Sequence, residues 1–492
     1  MTAARAPAPF IDRAVSCYGA PPMARGSTLV AATVALAAAL VGAAPAAAID
    51  ADAANDPAPA PRPHLSRAAA VHDLPRVLAL ADQNHPNILS ARARLSQVRA
   101  QLDEAHYAPF SQFKLTGGVT LAPTVRGNSV YSPNTDVSLT SSLGVAWRVG
   151  VDGVLPLWTF GKITNLWKAA EANVRVNTAG LEKERDAVRL DVRKAYFGLQ
   201  LARDARALLM DVRGAIRKAV DRLQGEVDNE EGDPIELLKL QTFSAELDVR
   251  EAEVAKFITL ALAGLRFYTG VPELDIPDAP LKPPGHRLGH LSRYLSAARL
   301  YRPELAQARA GLEARKAQVR LSRAQLFPDI GLGLSAGLSA APEVADQINP
   351  FVSDSGNYFH YGAALVVQWK LDFLPQSARV RYAEAQLDEM VATQRLALGG
   401  VATEVETTYA EVVEAQKRVD AYTKAAKYAK RWLVMVQQGI DVGTLADKDL
   451  IDPAKAYATN RYNQLNATME LDLAMSRLAR VTGWDVIAPD GT

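Results

Sequence analysis

The sequence predicts a mainly α-helical protein with a transmembrane β component, built from one plan used twice. Three observations carry that expectation. Two long proline-free stretches place apolar residues at every seventh position. Four segments alternate between an apolar face and a small or polar one. Features of the first half recur, in order, in the second.

The 492 residues allow several domains or one elongated one. Lys and Arg total 55 against 54 Asp and Glu, so no basic surplus points to nucleic acid, and no such partner is expected. Residues 1–48 read as a secretion signal. Arg25 supplies the positive charge, Leu29 to Val41 is almost unbroken apolar sequence, and Ala46-Ala47-Ala48 offers a cleavage site. The run starts after Met23, so residues 1–22 read as an upstream extension. The only cysteine, Cys17, precedes the cleavage site. A mature chain without thiols suits an oxidising compartment and excludes disulfides and thiolate metal sites. Residues 49–70, rich in Ala and Pro, read as a disordered leader. No later segment has eighteen consecutive apolar residues, so insertion into a membrane must use strands.

Sliding the chain by 213 residues superposes Phe160 on Phe373, Ala170-Glu171-Ala172 on Ala383-Glu384-Ala385, Tyr196 on Tyr409 and Thr269-Gly270 on Thr482-Gly483. Earlier in each half Pro86 meets Pro303 at a shift of 217. The first repeat spans 71–270: a helix at about 76–108, a β-hairpin at 111–157, a long helix at 162–227 and a helix at 234–269. The second spans 291–484: a helix at about 291–326, a hairpin at 328–373, a long helix at 376–439 and a helix at 447–482. Between them, 271–290 is a proline-rich extended connector, and 485–492 is a C-terminal tail.

The long helices rest on Leu181, Val188, Ala195, Ala202, Leu209, Ile216 and Leu223, and on Val391, Leu398, Val405, Val412, Val419, Ala426, Leu433 and Ile440. Seven-residue spacing sustained this far means coiled-coil packing. At ~1.5 Å per residue each helix reaches about 95 Å. The helices alone fit a coiled-coil rod with no pore as well as a tube.

The strands favour the tube. Phe113, Leu115, Val119 and Leu121 share one face; Val145, Trp147, Val149 and Val151 do the same, as do Leu332, Leu334 and Leu338, and Phe359, Tyr361, Leu365 and Val367. The opposite face is small or polar and includes Lys114, Arg148, Asp152 and His360, which are expected to face a watery lumen. Trp147, Trp158, Tyr358, Phe359 and Trp369 are candidates for interfacial girdles. An amphipathic sheet covering a soluble core is the alternative. Four strands cannot close a barrel, and an open edge in lipid leaves backbone groups unpaired. Two copies would give eight strands; three would give twelve and room for a pore.

The duplicated plan, the secretion signal and the turn Val442-Gly443-Thr444-Leu445-Ala446-Asp447-Lys448-Asp449-Leu450-Ile451-Asp452 together resemble the TolC family of outer-membrane efflux proteins, over about residues 70–484. The resemblance implies a homotrimer in the outer membrane, extending into the periplasm: a twelve-stranded barrel on a helical tunnel. It implies an exit duct of a tripartite efflux or type I secretion system. Its partners would be outer-membrane lipid, a periplasmic membrane-fusion adaptor and an inner-membrane pump of RND or ABC type, with no enzymatic activity and no cofactor. On that match Asp449 and Asp452 would be gate aspartates. Val442, Gly443 and Thr444, with Gly232 and Asp233 of the first turn, would contact the adaptor. The first turn departs from the family pattern, with Glu236 in place of Asp. Ile440 and Leu445 replace a Tyr and an Arg that help hold the tip shut in the best-known members, so the closed-state latch must differ.

Acids at loop tips are often merely solvated, and Asp449 near a helix start would suit the helix dipole in any case. In a symmetric ring they would focus negative potential at a narrow opening. Gly333-Leu334-Ser335-Ala336-Gly337 matches a hydrolase string but continues a strand alternation, which is the wrong context for a nucleophile. His286 and His290 read as a surface pair, since no third ligand lies nearby. The rival to the duct is a soluble periplasmic coiled-coil structural protein.

Overall fold

The computed structural model describes residues 70–126, 138–344, 354 and 356–485. The secretion signal, the leader apart from Ala70, and tail residues 486–492 lie outside the described residues.

The first half comprises β1 (Ala70–Val71), α1 (Leu74–Asn84), α2 (Pro86–Tyr107), β2 (Phe113–Arg126), β3 (Ser138–Trp158), α3 (Lys162–Asp228) and α4 (Pro234–Thr269). After β4 (Leu274–Asp275) the second half repeats the plan with α5 (Leu291–Tyr301), α6 (Pro303–Ala324), β5 (Asp329–Ala340), β6 (Tyr358–Gln368), α7 (Phe373–Asp441) and α8 (Ile451–Thr482). A 3-10 turn, Asp447–Leu450, precedes α8.

The helices expected as single elements at 76–108 and 291–326 are each broken in two. The breaks fall at His85–Pro86 and Arg302–Pro303, where the residue before proline is extended, with ψ of 128° and 123°. Proline disfavours helical geometry in its predecessor and is well placed at the first position of the next helix. The breaks serve a packing purpose. α4 and α8 both end in Thr-Gly, with Gly270 and Gly483 left-handed at φ 68° and 65°. Thr269 and Thr482 each donate their hydroxyl back to a carbonyl of the last turn at 2.8 Å. A side chain on Gly270 would press on Asn84 at 3.3 Å, and one on Gly483 would collide with the Tyr301 carbonyl at 2.6 Å. Each helix end therefore rests against one of the breaks, and glycine satisfies both the backbone angle and the close approach.

α3 packs on α2, α4, α6 and α8, while α7 packs on α6 and α8. Leu181, Val188, Ala202, Ile216 and Leu223 are buried along α3, as the seven-residue spacing predicts. On α7 the seam is buried at Val405, Val412, Val419, Ala426 and Ile440, but Leu398 is 46% exposed. One core lies in the first repeat around Val77, Ile88, Val192 and Leu265. A second lies in the other repeat around Tyr294, Val405, Leu471 and Leu478. A third closes the helix tips around Ile216, Leu240, Ile440 and Leu450. The proline-rich connector is docked, not free. β4 pairs in parallel with β1, so Ala70 belongs to a strand and not to the leader. Leu274, Ile276 and Leu281 are buried, and Arg203 of α3 donates to the Ile276 carbonyl at 2.8 Å while pairing with Asp275. His286 and His290 sit in this segment ahead of α5, so they do not share a helix face.

α8 carries one buried acid. Asp472 is 4% exposed, its Oδ2 has no hydrogen-bond partner among the described residues, and burial pushes its carboxyl up to about 7. A raised carboxyl pKa means that the native state binds the extra proton between the unfolded value of about 4 and about 7. Stability therefore falls as pH rises through that window. Asp472→Asn removes the charge at constant shape. It should raise the melting temperature at pH 8 by more than at pH 5; an equal or smaller gain at pH 8 would contradict the assignment.

β2, β3, β5 and β6 form one antiparallel sheet in that order, and β2 and β6 are its two edges. The register places the odd-numbered residues of β2, β3 and β6 and the even-numbered residues of β5 on one face. One row across the sheet is Gly117, Val149, Leu338 and Phe359. Leu115, Val119, Leu121, Tyr361, Leu365 and Val367 are all more than half exposed on this face. Where the sheet meets the helices, Phe160 stacks on Phe327 at 5.3 Å, Trp369 meets Phe373 at 5.8 Å and Trp158 lies 6.1 Å from Phe160. Lys162 clamps the same junction, paired with Asp329 at 2.8 Å and donating to the Phe327 carbonyl. Tyr358 does not join a girdle: it is paired with Ser339 on the opposite, polar face. Among the described residues no helix is long and apolar enough to cross a membrane.

Candidate functional site

Two turns meet at the far end of the long helices. In the first, α3 ends at Asp228 and the Glu231 and Gly232 amides donate to the Glu226 carbonyl at 2.8 and 3.0 Å. Asp233 then caps α4, its Oδ1 accepting from the Ile235 amide at 2.8 Å with Pro234 at the first helical position. In the second, Gly443 turns the chain at φ 73°, and Thr444 donates both its amide and its hydroxyl to the Gly439 carbonyl. Val442, Gly443 and Thr444 are exposed. Asp449 Oδ2 accepts from the Ala446 amide at 3.1 Å, which fixes the entry into the 3-10 turn. Leu450 and Ala454 sink into the tip core beside Ile440.

Asp449 and Asp452 are both exposed, and both line a groove of about 790 Å³. Ile235 and Leu238 of α4, Trp432 of α7 and Leu445 form its apolar wall. Lys239, Lys448 and Lys455 line it too, and the last two already have partners. Lys448 pairs with Glu236 across the two turns, and Lys455 with Glu246 at 3.4 Å. Asp449 and Asp452 have no cationic partner among the described residues. Asp447 is different: its side chain is 8% exposed and lies 3.3 Å from Arg222. Burial raises its carboxyl pKa, and Arg222 opposes that. The Lys448–Glu236 and Arg222–Asp447 pairs join the two turns within one subunit. Sequence reading noticed Glu236 and Asp447 only as acids of a tip, because their partners lie far away in the chain.

On the polar face of the sheet, Lys114 stands directly opposite Asp152, which in turn is opposite Ser335. Arg148 stands between Gly118 and Ser339. His360 is paired with Gly337, where any side chain would meet the imidazole at 2.4 Å, so the ring lies across the glycine. It stacks on Tyr358 at 5.2 Å. Lys114, Arg148, Asp152 and His360 therefore share one wall. Ser335 lies within β5 with no histidine among its register partners, which fits the rejection of the hydrolase string. Among the described residues no cluster of metal-ligating side chains occurs.

A duplicated helical plan with one amphipathic four-stranded sheet is the architecture of an outer-membrane channel subunit. Residues 77–270 and 294–484 match the family described as outer membrane efflux protein, and the chain belongs to it. Members of this family are transport channels of the outer membrane that extend into the periplasm, and they are not enzymes. The chain is 28% identical to protein CyaE of Bordetella pertussis over 213 residues, 43% of each chain. It is 26% identical to outer membrane protein TolC of Escherichia coli over 196 residues, 39% of this chain and 38% of that one. The matched part thus spans less than half the length of either relative. The fold is shared with the CmeC outer membrane channel of Campylobacter jejuni: TM-score 0.68 at 16% identity, covering 84% of this chain and 86% of that one.

Proposed function

We propose that this chain is the subunit of a homotrimeric exit duct that works with an inner-membrane pump of RND or ABC type through a periplasmic adaptor, in efflux or type I secretion. The observation that carries the proposal is the open sheet. Its apolar face is exposed, and its two edges, β2 and β6, end in unpaired backbone. In hydrocarbon such edges cost several kcal/mol per group, so they must pair with other copies. Three copies of four strands give twelve. The polar wall bearing Lys114, Arg148, Asp152 and His360 then lines the lumen. The tip turns, with Val442 to Thr444 and Asp233 exposed and Gly232 half-buried, face the adaptor, and Asp449 and Asp452 guard the opening.

Mass measurement of the purified protein in detergent should give three subunits. A stable monomer, soluble without detergent, would overturn the proposal and favour a periplasmic coiled-coil structural protein.

A further inference from the structure

The lumen wall is not electrically uniform. Lys114 and Asp152 oppose each other across β2 and β3 and cancel at a distance. Asp329, at the helix end of β5, is neutralised by Lys162. Arg148 is left over. It has no carboxylate partner among the described residues, whereas Arg189, Arg193, Arg203 and Arg302 of the helical part are all engaged. Its register neighbours are Gly118, above which nothing lies within 4 Å of a built side chain, and Ser339. The guanidinium is therefore uncovered. A basin of about 580 Å³ surrounds it, with the hydroxyls of Thr120, Ser339 and Tyr358 on its rim; the Thr116 hydroxyl, also there, is donated to the Gly150 carbonyl at 3.3 Å. Ser339 and Tyr358 lie where β5 ends and β6 begins, so the basin is at the end of the β5–β6 hairpin remote from the helices.

An uncovered arginine ringed by hydroxyl donors has the chemistry of an oxyanion site. The planar fork matches two oxygens of a carboxylate or phosphate, and hydroxyls can donate to the rest. From the unpaired Arg148 and its rim we infer that the barrel lumen, at the level where the β5–β6 hairpin ends, holds a ring of sites for phosphate- or carboxylate-bearing solutes, three per assembled barrel. This inference rests on the channel reading. It adds to that reading a cationic site in the barrel, opposite in sign to the acid pair of the tip. The strands keep one arginine per subunit without a carboxylate partner, four residues along β3 from Gly144, where the exposed Glu343 lies against the sheet.

The test is single-channel recording in planar bilayers with tripolyphosphate as probe, added to one side at a time. Added on the barrel side, tripolyphosphate should block the current in a concentration-dependent way. Added on the tip side, it should block far less, because the acids of the tip repel it. Arg148→Gln removes one charge-assisted contact per subunit, so the half-blocking concentration should rise about tenfold or more. Arg148→Lys keeps the charge but loses the fork, and should fall between the two. The double variant Lys114→Gln/Asp152→Asn removes a pair that already cancels and should change the block little. Absence of block in the original protein, equal block in Arg148→Gln, or a dependence on the Lys114 and Asp152 pair in place of Arg148 would overturn the inference. If no conductance appears at all, it is the channel reading that fails.

Discussion

An arginine at Val149 should unfold or disassemble the barrel in lipid. Val149 lies midway along β3 on the apolar face, in the row with Gly117, Leu338 and Phe359. A guanidinium placed near mid-membrane on the lipid face of a barrel costs ~2–4 kcal/mol, a large part of the net stability of most proteins. The neighbouring position, Gly150, lies on the opposite, polar face, which lines the lumen in the proposed barrel. A side chain begun there meets only Thr116 Oγ1 at 3.6 Å and the Ala336 carbonyl at 3.7 Å, ordinary contact distances, so Gly150→Arg has room to start and water to enter. The folded fraction in lipid, followed by urea titration, should drop sharply for Val149→Arg and little for Gly150→Arg. Leu365 offers a graded control. It is on the same face but shares its row with Leu332 and Leu155, six residues nearer the helices than Val149. At ~3.3 Å per residue that is about 20 Å along the strand. Depth lowers the cost, so Leu365→Arg should be milder than Val149→Arg. Equal loss on the two faces would mean that the sheet is not embedded as drawn.

The face assignments could be read from the sequence because a strand has a fixed two-residue period, and so could the long helices, because Leu181 to Leu223 and Val405 to Ala426 repeat every seven. The breaks in the shorter helices could not. Val77 and Ala81 of α1 and Ile88 and Leu95 of α2 all bury into one core, so the apolar pattern runs straight across Pro86. Proline at the first position of a helix also disturbs nothing upstream except one residue. Leu398 fits the heptad but is exposed within one subunit; spacing shows which face is apolar, not what covers it. Aromatic clustering alone groups Tyr358 with the girdle, whereas its even number places it on the polar face of β6. The ion pairs at the tip were out of reach for a different reason: Lys448 and Glu236 are 212 residues apart and meet only because two coiled coils end together.

Removing the charge of both Asp449 and Asp452 should abolish block of the channel by trivalent cations from the periplasmic side. Three copies of two aspartates place six carboxylates around one opening in the proposed trimer. The tip contains lysines as well, and these would weaken the field if they were free. Two are not: Lys448 is held by Glu236 and Lys455 by Glu246, which leaves Lys239 of α4 as the groove lysine without a carboxylate partner among the described residues. Asp447 adds little, being buried against Arg222. Asp449 and Asp452 are left exposed without a cationic partner, two acids per subunit against the single unpaired Lys239, and hard cations favour such clustered carboxylate oxygens. Fixed charges at a narrow opening are weakly screened at short range. Asparagine is the better substitution at 449, because Asp449 also accepts from the Ala446 amide and truncation to alanine would cost about 1 kcal/mol of capping as well. Asp449→Asn/Asp452→Asn should raise the half-blocking concentration by about a hundredfold or more, near 3 kcal/mol of lost cation binding, while the trimer survives intact. Bilayer conductance with a lanthanide on the periplasmic side measures it. If the double variant is blocked as readily as the original, the gate charge lies in the first turn. There Asp233 is committed to capping α4 and Glu236 to Lys448, so Glu230 and Glu231 are the acids to neutralise next.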